Sequence, residues 1–306
     1  MLYNIFTLIC ELMPNKTAVN GLSYSNLRNL VETTPYIYVT KERDERVLFD
    51  ILIAAHHNKP LVIPPKDGID FELPFNPPDC FGIYLYTSGS STGKRKPIYL
   101  PESMLINNAR VANGCQGIIS DDIIYNVCSM NHTGGLNVQV IPGLLVGATI
   151  IIEDFEPFRF NKRLKETGAT LTHLVPRMMN ALRKVDKNNL RLVAAGSDCV
   201  SKEHVKFWLD KDISFMLNYG MTEAGPVIIN HIFKSHDELS VFDSGVPLGD
   251  QIHCGFILQN SELSLSGKSI HKEGWLLTGD CVEYKDGWFF YNGRKSAGCK
   301  IIPKRY

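Results

Sequence analysis

The stretch Tyr84-Leu85-Tyr86-Thr87-Ser88-Gly89-Ser90-Ser91-Thr92-Gly93-Lys94-Arg95-Lys96-Pro97-Ile98 decides how the rest of the chain is read. Residues 81–86 are apolar and aromatic, the pattern of a buried strand. The run stops abruptly in a loop built only of Gly, Ser and Thr, followed by three cations. Small residues let the backbone approach a ligand, and successive N–H groups in a tight loop form an anion-binding nest. Hydroxyls add donors, and Lys94, Arg95 and Lys96 add positive charge, so the expected guest is a polyphosphate. Spacing excludes a Walker A loop, which needs Gly-x-x-x-x-Gly-Lys followed by Ser or Thr. Here three residues separate Gly89 from Gly93, and Arg95 follows Lys94. A flexible linker is the bland alternative, but linkers rarely follow a buried strand directly.

Around this loop lies a chain of 306 residues, 44% hydrophobic and 21% charged, which is enough for an ample core in one or two domains. Its formal net charge of zero gives no electrostatic case for a nucleic-acid partner or an anionic membrane. The eight cysteines form no Cys-x-x-Cys pair, so neither a zinc site nor a disulfide framework is indicated. Reduced thiols and a cytoplasmic location are expected. At the N-terminus, apolar residues at positions 2, 5, 6, 9, 12 and 13 follow a helical period and predict a docking helix. That segment lacks a cationic start and a cleavage site, and it is too short to span a membrane. The longest apolar block, residues 136–152, is interrupted by Asn137, Gln139, Pro142 and Gly143 and reads as core.

Strands are expected over residues 16–19, 36–39 and 60–64, with Ser25 capping a helix that runs to residue 30 and a second helix over 46–55. His56 and His57 are adjacent, so on a helix their side chains diverge by about 100°, which suits a helix end better than a metal pair. After the loop, helices over 102–113, 134–145, 161–167, 176–182 and 201–209 alternate with strands over 123–127, 148–152, 169–174, 190–195 and 213–217. That alternation predicts an α/β fold of layered, largely parallel sheets with flanking helices and ligands at strand C-terminal ends. From about residue 241 to 292 the texture changes to short strands and many turns, which predicts a small β-rich subdomain.

Several predicted strand ends carry unusual chemistry. Met130-Asn131-His132-Thr133-Gly134-Gly135 puts a histidine beside two glycines at a helix start, where it could approach a carboxylate or phosphate. A satisfied loop histidine is the competing reading. Gly196 and Ser197 follow the strand at 190–195, and a glycine there permits close approach to a flat ring, as would a plain strand-to-helix turn. Residues 218–225 offer an aromatic face (Tyr219), a glycine (Gly220), a hydroxyl (Thr222) and a carboxylate (Glu223). Those are the parts to stack a base, bind a phosphate oxygen and hold Mg²⁺, which takes carboxylate and phosphate oxygens. Gly274-Trp275-Leu276-Leu277-Thr278-Gly279-Asp280 leaves a carboxylate at a strand end, able to accept both hydroxyls of a ribose, and Gly293-Arg294 follows shortly after.

In this order and spacing the motifs resemble the adenylate-forming enzymes, which include acyl- and aryl-CoA synthetases and peptide-synthetase adenylation domains. The resemblance covers about residues 16–303. It implies the large-domain fold of that family over residues 1–292 and a hinge remnant over 293–306, without the mobile C-terminal domain. It implies ATP-dependent activation of a carboxylic acid as acyl-AMP, with pyrophosphate released and the acyl group passed to coenzyme A or a carrier-protein phosphopantetheine. Thr87, Ser88, Gly89, Ser90, Ser91, Thr92, Gly93 and Lys96 would hold the leaving phosphates. Thr222 would bind the α-phosphate and Glu223 Mg²⁺. Tyr219 and Gly220 would face the adenine, Gly196 and Ser197 would wall the ring or acyl chain, Asp280 and Arg294 would grip the ribose, and His132 would sit by the carboxylate. Against the family's pattern, the loop has one extra serine, Arg95 where Pro is usual and Pro97 where Gly is usual, and Ala297 stands at the hinge-Asp position. Two readings stay open. One is an acid–thiol ligase, working alone or with a separate C-terminal domain chain. The other is a non-catalytic relic or regulator that binds nucleotide or acyl-adenylate without turnover.

Overall fold

Apolar runs of four to ten residues separated by amphipathic segments assemble into three sheets with flanking helices. The computed structural model describes residues 1–40, 45–66, 71–87, 95–243, 245–271 and 273–295. The opening unit consists of α1 (Leu2–Leu12), β1 (Thr17–Val19), β2 (Leu22–Ser23), α2 (Tyr24–Thr33) and α3 (Glu45–His56). Leu2, Phe6 and Cys10, one turn apart, form the buried stripe of α1. Ser23 caps α2, its Oγ accepting from the Asn26 N–H at 3.2 Å. Ser25, the expected cap, lies inside the helix because the extended backbone ends two residues earlier. Residues 36–39 make one bridge, Val39 to Val62, rather than a strand.

A three-stranded sheet follows: β3 (Pro60–Val62), β4 (Gly82–Tyr86) and β5 (Pro97–Pro101). The run at 82–86 is buried throughout, as its composition predicted. β4 pairs antiparallel with β5 and sets Tyr86 opposite Pro97.

The chain continues as α4 (Glu102–Gln116), β6 (Ile123–Asn126), α5 (Thr133–Gly135), a π-helical turn (Leu136–Val140), α6 (Ile141–Leu144), β7 (Thr149–Ile152), α7 (Pro157–Thr167), β8 (Leu171–Leu174), α8 (Pro176–Ala181), β9 (Leu192–Ala195), α9 (Lys202–Leu209), β10 (Ser214–Met221), β11 (Gly225–Phe233), α10 (His236–Ser240) and β12 (Gln251–Ile252). The large sheet has the order β12-β11-β10-β9-β8-β6-β7-β1-β2. From β10 to β1 neighbouring strands are parallel, and antiparallel pairs close both edges. Asn126 pairs with His173, His173 with Ala194 and Ala194 with Met216. The loops after β6, β8 and β9 therefore leave along one edge. Residues 218–225, expected as a loop, are mostly strand: β10 runs on through Met221, and β11 returns beside it. Gly220 permits this, since a Cβ there would stand 2.2 Å from the Gly225 carbonyl oxygen.

The small sheet is antiparallel: β13 (Gly255–Gln259), β14 (Glu262–Ser266), β15 (Leu276–Lys285) and β16 (Trp288–Arg294). Leu263, Leu265, Val282 and Phe289 pack with Ala224, Ile228 and Ile229 of the large sheet, so apolar burial fixes one sheet on the other. Among the described residues no helix is long and apolar enough to cross a membrane. Cys10, Cys80, Cys115, Cys128, Cys199 and Cys254 are free thiols. Cys281 is disulfide-bonded, against the expectation of reduced thiols throughout.

Candidate active site

Of the expected site residues, Thr87, Lys96, His132, Ser197, Gly220, Thr222, Glu223 and Arg294 line one cleft of about 1420 Å³ between the three sheets, whereas Gly196, Tyr219 and Asp280 stand behind its wall. The β4–β5 hairpin supplies Thr87 and Lys96 at its base, where the Thr87 N–H donates to the Lys96 carbonyl at 3.1 Å. The Lys96 N–H returns to Thr87 Oγ1 at 3.3 Å. Ser88, Gly89, Ser90, Ser91, Thr92 and Gly93 lie outside the described residues, as does the hinge position Ala297. Across the cleft, the turn between β10 and β11 presents Thr222 and Glu223, both half-buried. The Glu223 carbonyl accepts from the His271 N–H at 2.9 Å, while its carboxylate has no ion-pair partner among the described residues. Glu223 is a carboxylate of the kind that binds a hard divalent cation, and Asp154 and Glu156 also line the cleft. Among the described residues no cluster of three or more ligating side chains could hold a metal, so such an ion would draw its other ligands from phosphate and water.

His132 is exposed, sits at the N-cap of α5 and lines the cleft beside Gly134 and Gly135. Gly135 has no room for a side chain, since a Cβ would lie 2.1 Å from the Ser129 carbonyl oxygen. Ser197 lines the same cleft with φ +71°, a left-handed conformation that disfavours a non-glycine residue by about 1–2 kcal/mol. Such strain persists only where the surroundings impose it, and it concentrates at functional sites. Gly196 stands behind Ser197 against β10, where a Cβ would meet the Asn218 carbonyl oxygen at 2.4 Å.

Asp280 does not line the cleft. It sits one step behind, 4% exposed, with its oxygens engaged: Tyr219 Oη donates to Oδ2 at 2.7 Å, and Arg294 Nε pairs with Oδ1 at 2.9 Å. Arg294, itself at the cleft, also reaches the Thr278 carbonyl at 3.3 Å. Burial pushes the Asp280 carboxyl upward, with the Tyr219 hydrogen bond and the Arg294 charge pulling the other way. Burial, then the charge of Asp280, drives the Tyr219 hydroxyl far above the usual phenol range. Each carboxylate oxygen keeps a second lone pair, so the group can still accept a further donor.

Contributors to the cleft that were not anticipated include His173 on β8, Arg177 on α8, Asp154, Glu156 and Lys66, which pairs with Asp154 at 3.5 Å. His173 was the legible one, a lone histidine near the end of the apolar strand Leu171-Thr172-His173-Leu174.

A family model described as "AMP-binding enzyme" matches residues 25–266. The chain belongs to this family. Among curated relatives of the AMP-binding chain is a feruloyl-CoA synthase from Amycolatopsis sp, 28% identical over 73% of this chain and 49% of its own length. Another is an indoleacetate–CoA ligase from Aromatoleum aromaticum, 26% identical over 68% of this chain and 43% of its own length. The chain thus spans about half the length of the curated relatives it matches. In fold it is similar to the N-terminal domain of FACL13 from Mycobacterium tuberculosis, with a TM-score of 0.79 at 14% identity, covering 96% of this chain and 99% of that one. The AMP-binding fold so identified agrees with the α/β class and the small β-rich subdomain read from the sequence.

Proposed function

We propose that this chain activates a carboxylic acid with ATP, forming an acyl-adenylate and releasing pyrophosphate, and that the acyl group then passes to the thiol of coenzyme A. The observation that carries this reading is the convergence of Thr87, Lys96, His132, Thr222, Glu223 and Arg294 on one cleft of an AMP-binding chain whose curated relatives include a feruloyl-CoA synthase and an indoleacetate–CoA ligase. A carboxylate oxygen of the acid attacks the α-phosphorus, the bond from that phosphorus to its bridging oxygen breaks, and pyrophosphate leaves with the electron pair. The thiol then adds to the acyl carbon, loses its proton and expels AMP. Such displacements gain most from positioning and from stabilising charge on phosphate oxygens.

In this assignment Lys96 and the loop over residues 87–93 hold the departing phosphates, and Thr222 donates to the α-phosphate. Glu223 holds Mg²⁺, which neutralises phosphate charge when bound. His132 orients the carboxylate. Tyr219 and Gly220 face the adenine, Gly196 and Ser197 wall the ring and acyl group, and the Tyr219–Asp280–Arg294 chain positions the ribose. A carrier-protein arm as acceptor and a separate C-terminal domain chain are further partners compatible with it. The test is pyrophosphate release from ATP and Mg²⁺ across fatty, aromatic and amino acids, with nucleotide binding by calorimetry on the same sample. Release with one class of acid is expected. Nucleotide binding without release under any acid would favour a non-catalytic binder, and no nucleotide binding would overturn the reading.

A further inference from the structure

Two adjacent asparagines on α4 meet the Thr222–Glu223 turn, and neither lines the cleft. Asn107 Nδ2 donates to Ser269 Oγ at 2.6 Å. Ser269 is 1% exposed and lies two residues before His271, whose N–H holds the Glu223 carbonyl at 2.9 Å. Asn108 is 4% exposed, and its side-chain amide packs face-on against Gly225: a Cβ there would stand 2.4 Å from Nδ2 and 2.5 Å from both Cγ and Oδ1. Gly225 has φ +88°, and its pairing with Met221 closes the turn from within. Residues 222–224 are thus held at two points by one helix, through Asn107 and the segment 269–271 at one and through Asn108 at the other. The helix itself is fixed, since Met104, Leu105, Ile106, Ala109 and Ala112 are buried in the main core. It also follows β5 with no residue between them, and β5 begins directly after Lys96.

We propose that α4 is the spacer that sets Glu223 against Lys96 across the cleft, with Asn107 and Asn108 as positioning residues for the carboxylate that takes Mg²⁺. The inference rests on the acid-activating reading given above, which assigns Glu223 to the ion and Lys96 to the departing phosphates. Those two groups come from different sheets, and a metal-bound polyphosphate must meet both at once. One buried helix tied to both fixes their separation before the ligand arrives, which is the preorganisation that such a site needs. Mg²⁺ demands near-ideal octahedral geometry with ligands at about 2.0–2.1 Å, so a carboxylate that drifts loses the ion before it loses anything else. Removing the Asn107 amide leaves the buried Ser269 hydroxyl without its partner, and the segment 269–271 moves to regain one. The shift passes through the His271 N–H to Glu223. Asn107 and Asn108 touch neither nucleotide nor acid and take no part in the bond changes at phosphorus.

The test measures ATP affinity by calorimetry with Mg²⁺ and again in EDTA, and takes the ratio as the factor by which the metal tightens binding. Asn107→Ala and Ser269→Ala attack the same hydrogen bond from its two ends. Each should cut the factor about 5-fold or more, and the double variant should cut it no further. Asn107→Asp, whose carboxylate can accept from the Ser269 hydroxyl, should restore most of it. In a Glu223→Gln background neither alanine change should alter ATP affinity, because the group they position no longer holds the ion. A brace that only stabilised the fold would weaken binding equally with and without metal and would act alike in both backgrounds. An unchanged factor in Asn107→Ala and Ser269→Ala, or effects that persist beside Glu223→Gln, would overturn the inference while leaving acid activation intact. If Asn107→Ala fails to fold, Ser269→Ala decides by itself, and loss of folded protein in both would overturn the inference in favour of a purely structural brace. Wild type that binds no ATP under either condition would overturn the acid-activating reading and this inference with it.

Discussion

Replacing His173 by Gln should change how stability depends on pH. The native imidazole is held down to about 4, whereas an unfolded chain has the ordinary histidine value of about 6.5. Between these values the unfolded state binds the proton and the native state does not. Stability is thus fully present above about pH 6.5, falls as pH drops through the window, and stops falling below about pH 4. Over the whole window the loss is about 3 kcal/mol, of which about 2 kcal/mol falls between pH 7.5 and pH 5. Gln keeps a donor and an acceptor but does not titrate. Urea unfolding of wild type and His173→Gln at the two pH values gives the contribution as a double difference, because other titrating groups act alike in both proteins. Wild type should lose about 2 kcal/mol more than the variant on acidification. Equal losses would refute the reasoning, because the imidazole would then be hydrated or paired in the native state and its burial would carry no electrostatic consequence.

Asp280→Ala removes the acceptor of both Tyr219 and Arg294, so nucleotide affinity measured by calorimetry should fall by about 10-fold or more; unchanged affinity would remove Asp280 from the site. Glu223→Gln should abolish the Mg²⁺ dependence of nucleotide binding, since the proposed ion has this carboxylate as its protein ligand, and a dependence matching the parent would end that assignment. Gly135→Ala drives a methyl group into the Ser129 carbonyl and should cost about 3 kcal/mol or more, read as a large drop in melting temperature or loss of soluble protein; a normal melting curve would mean that the turn can open.

The strand-by-strand layout was readable because each buried strand is an apolar run ended by turn residues, and the parallel order follows from the alternation with helices. That Thr87, Lys96, His132, Thr222 and Glu223 would gather at one cleft was readable for another reason: the residue types around them are over-equipped for plain turns. What the sequence concealed is instructive. The turn at 218–225 carries a full set of binding groups, and that made it look like a loop, yet β11 holds it in register and leaves only residues 222–224 to make the turn. The reading of Asp280 as a free ribose ligand missed that Tyr219, 61 residues earlier, would donate to it. Pairings between distant segments leave no local pattern.

The same limit explains His173. Along the chain it is one polar residue among apolar neighbours, which by itself describes a satisfied core histidine as well as a ligand. What decides between the two cases is what packs on it, and the ring is closed in against Gly134, reached through the register of β6 with β8 and the helix start that follows β6. The π-helical turn at Leu136–Val140 then carries Asn137 and Gln139 inward, and their amides donate to the Leu105, Gln116 and Thr172 oxygens. Residues that looked like interruptions of an apolar block are thus polar braces packed behind the cleft. Buried hydrogen bonds of this kind fix a backbone more sharply than apolar packing, which tolerates repacking. A wall so braced holds the start of α5 against the end of β8 in one register, so the cleft keeps its shape without depending on side chains that face a ligand.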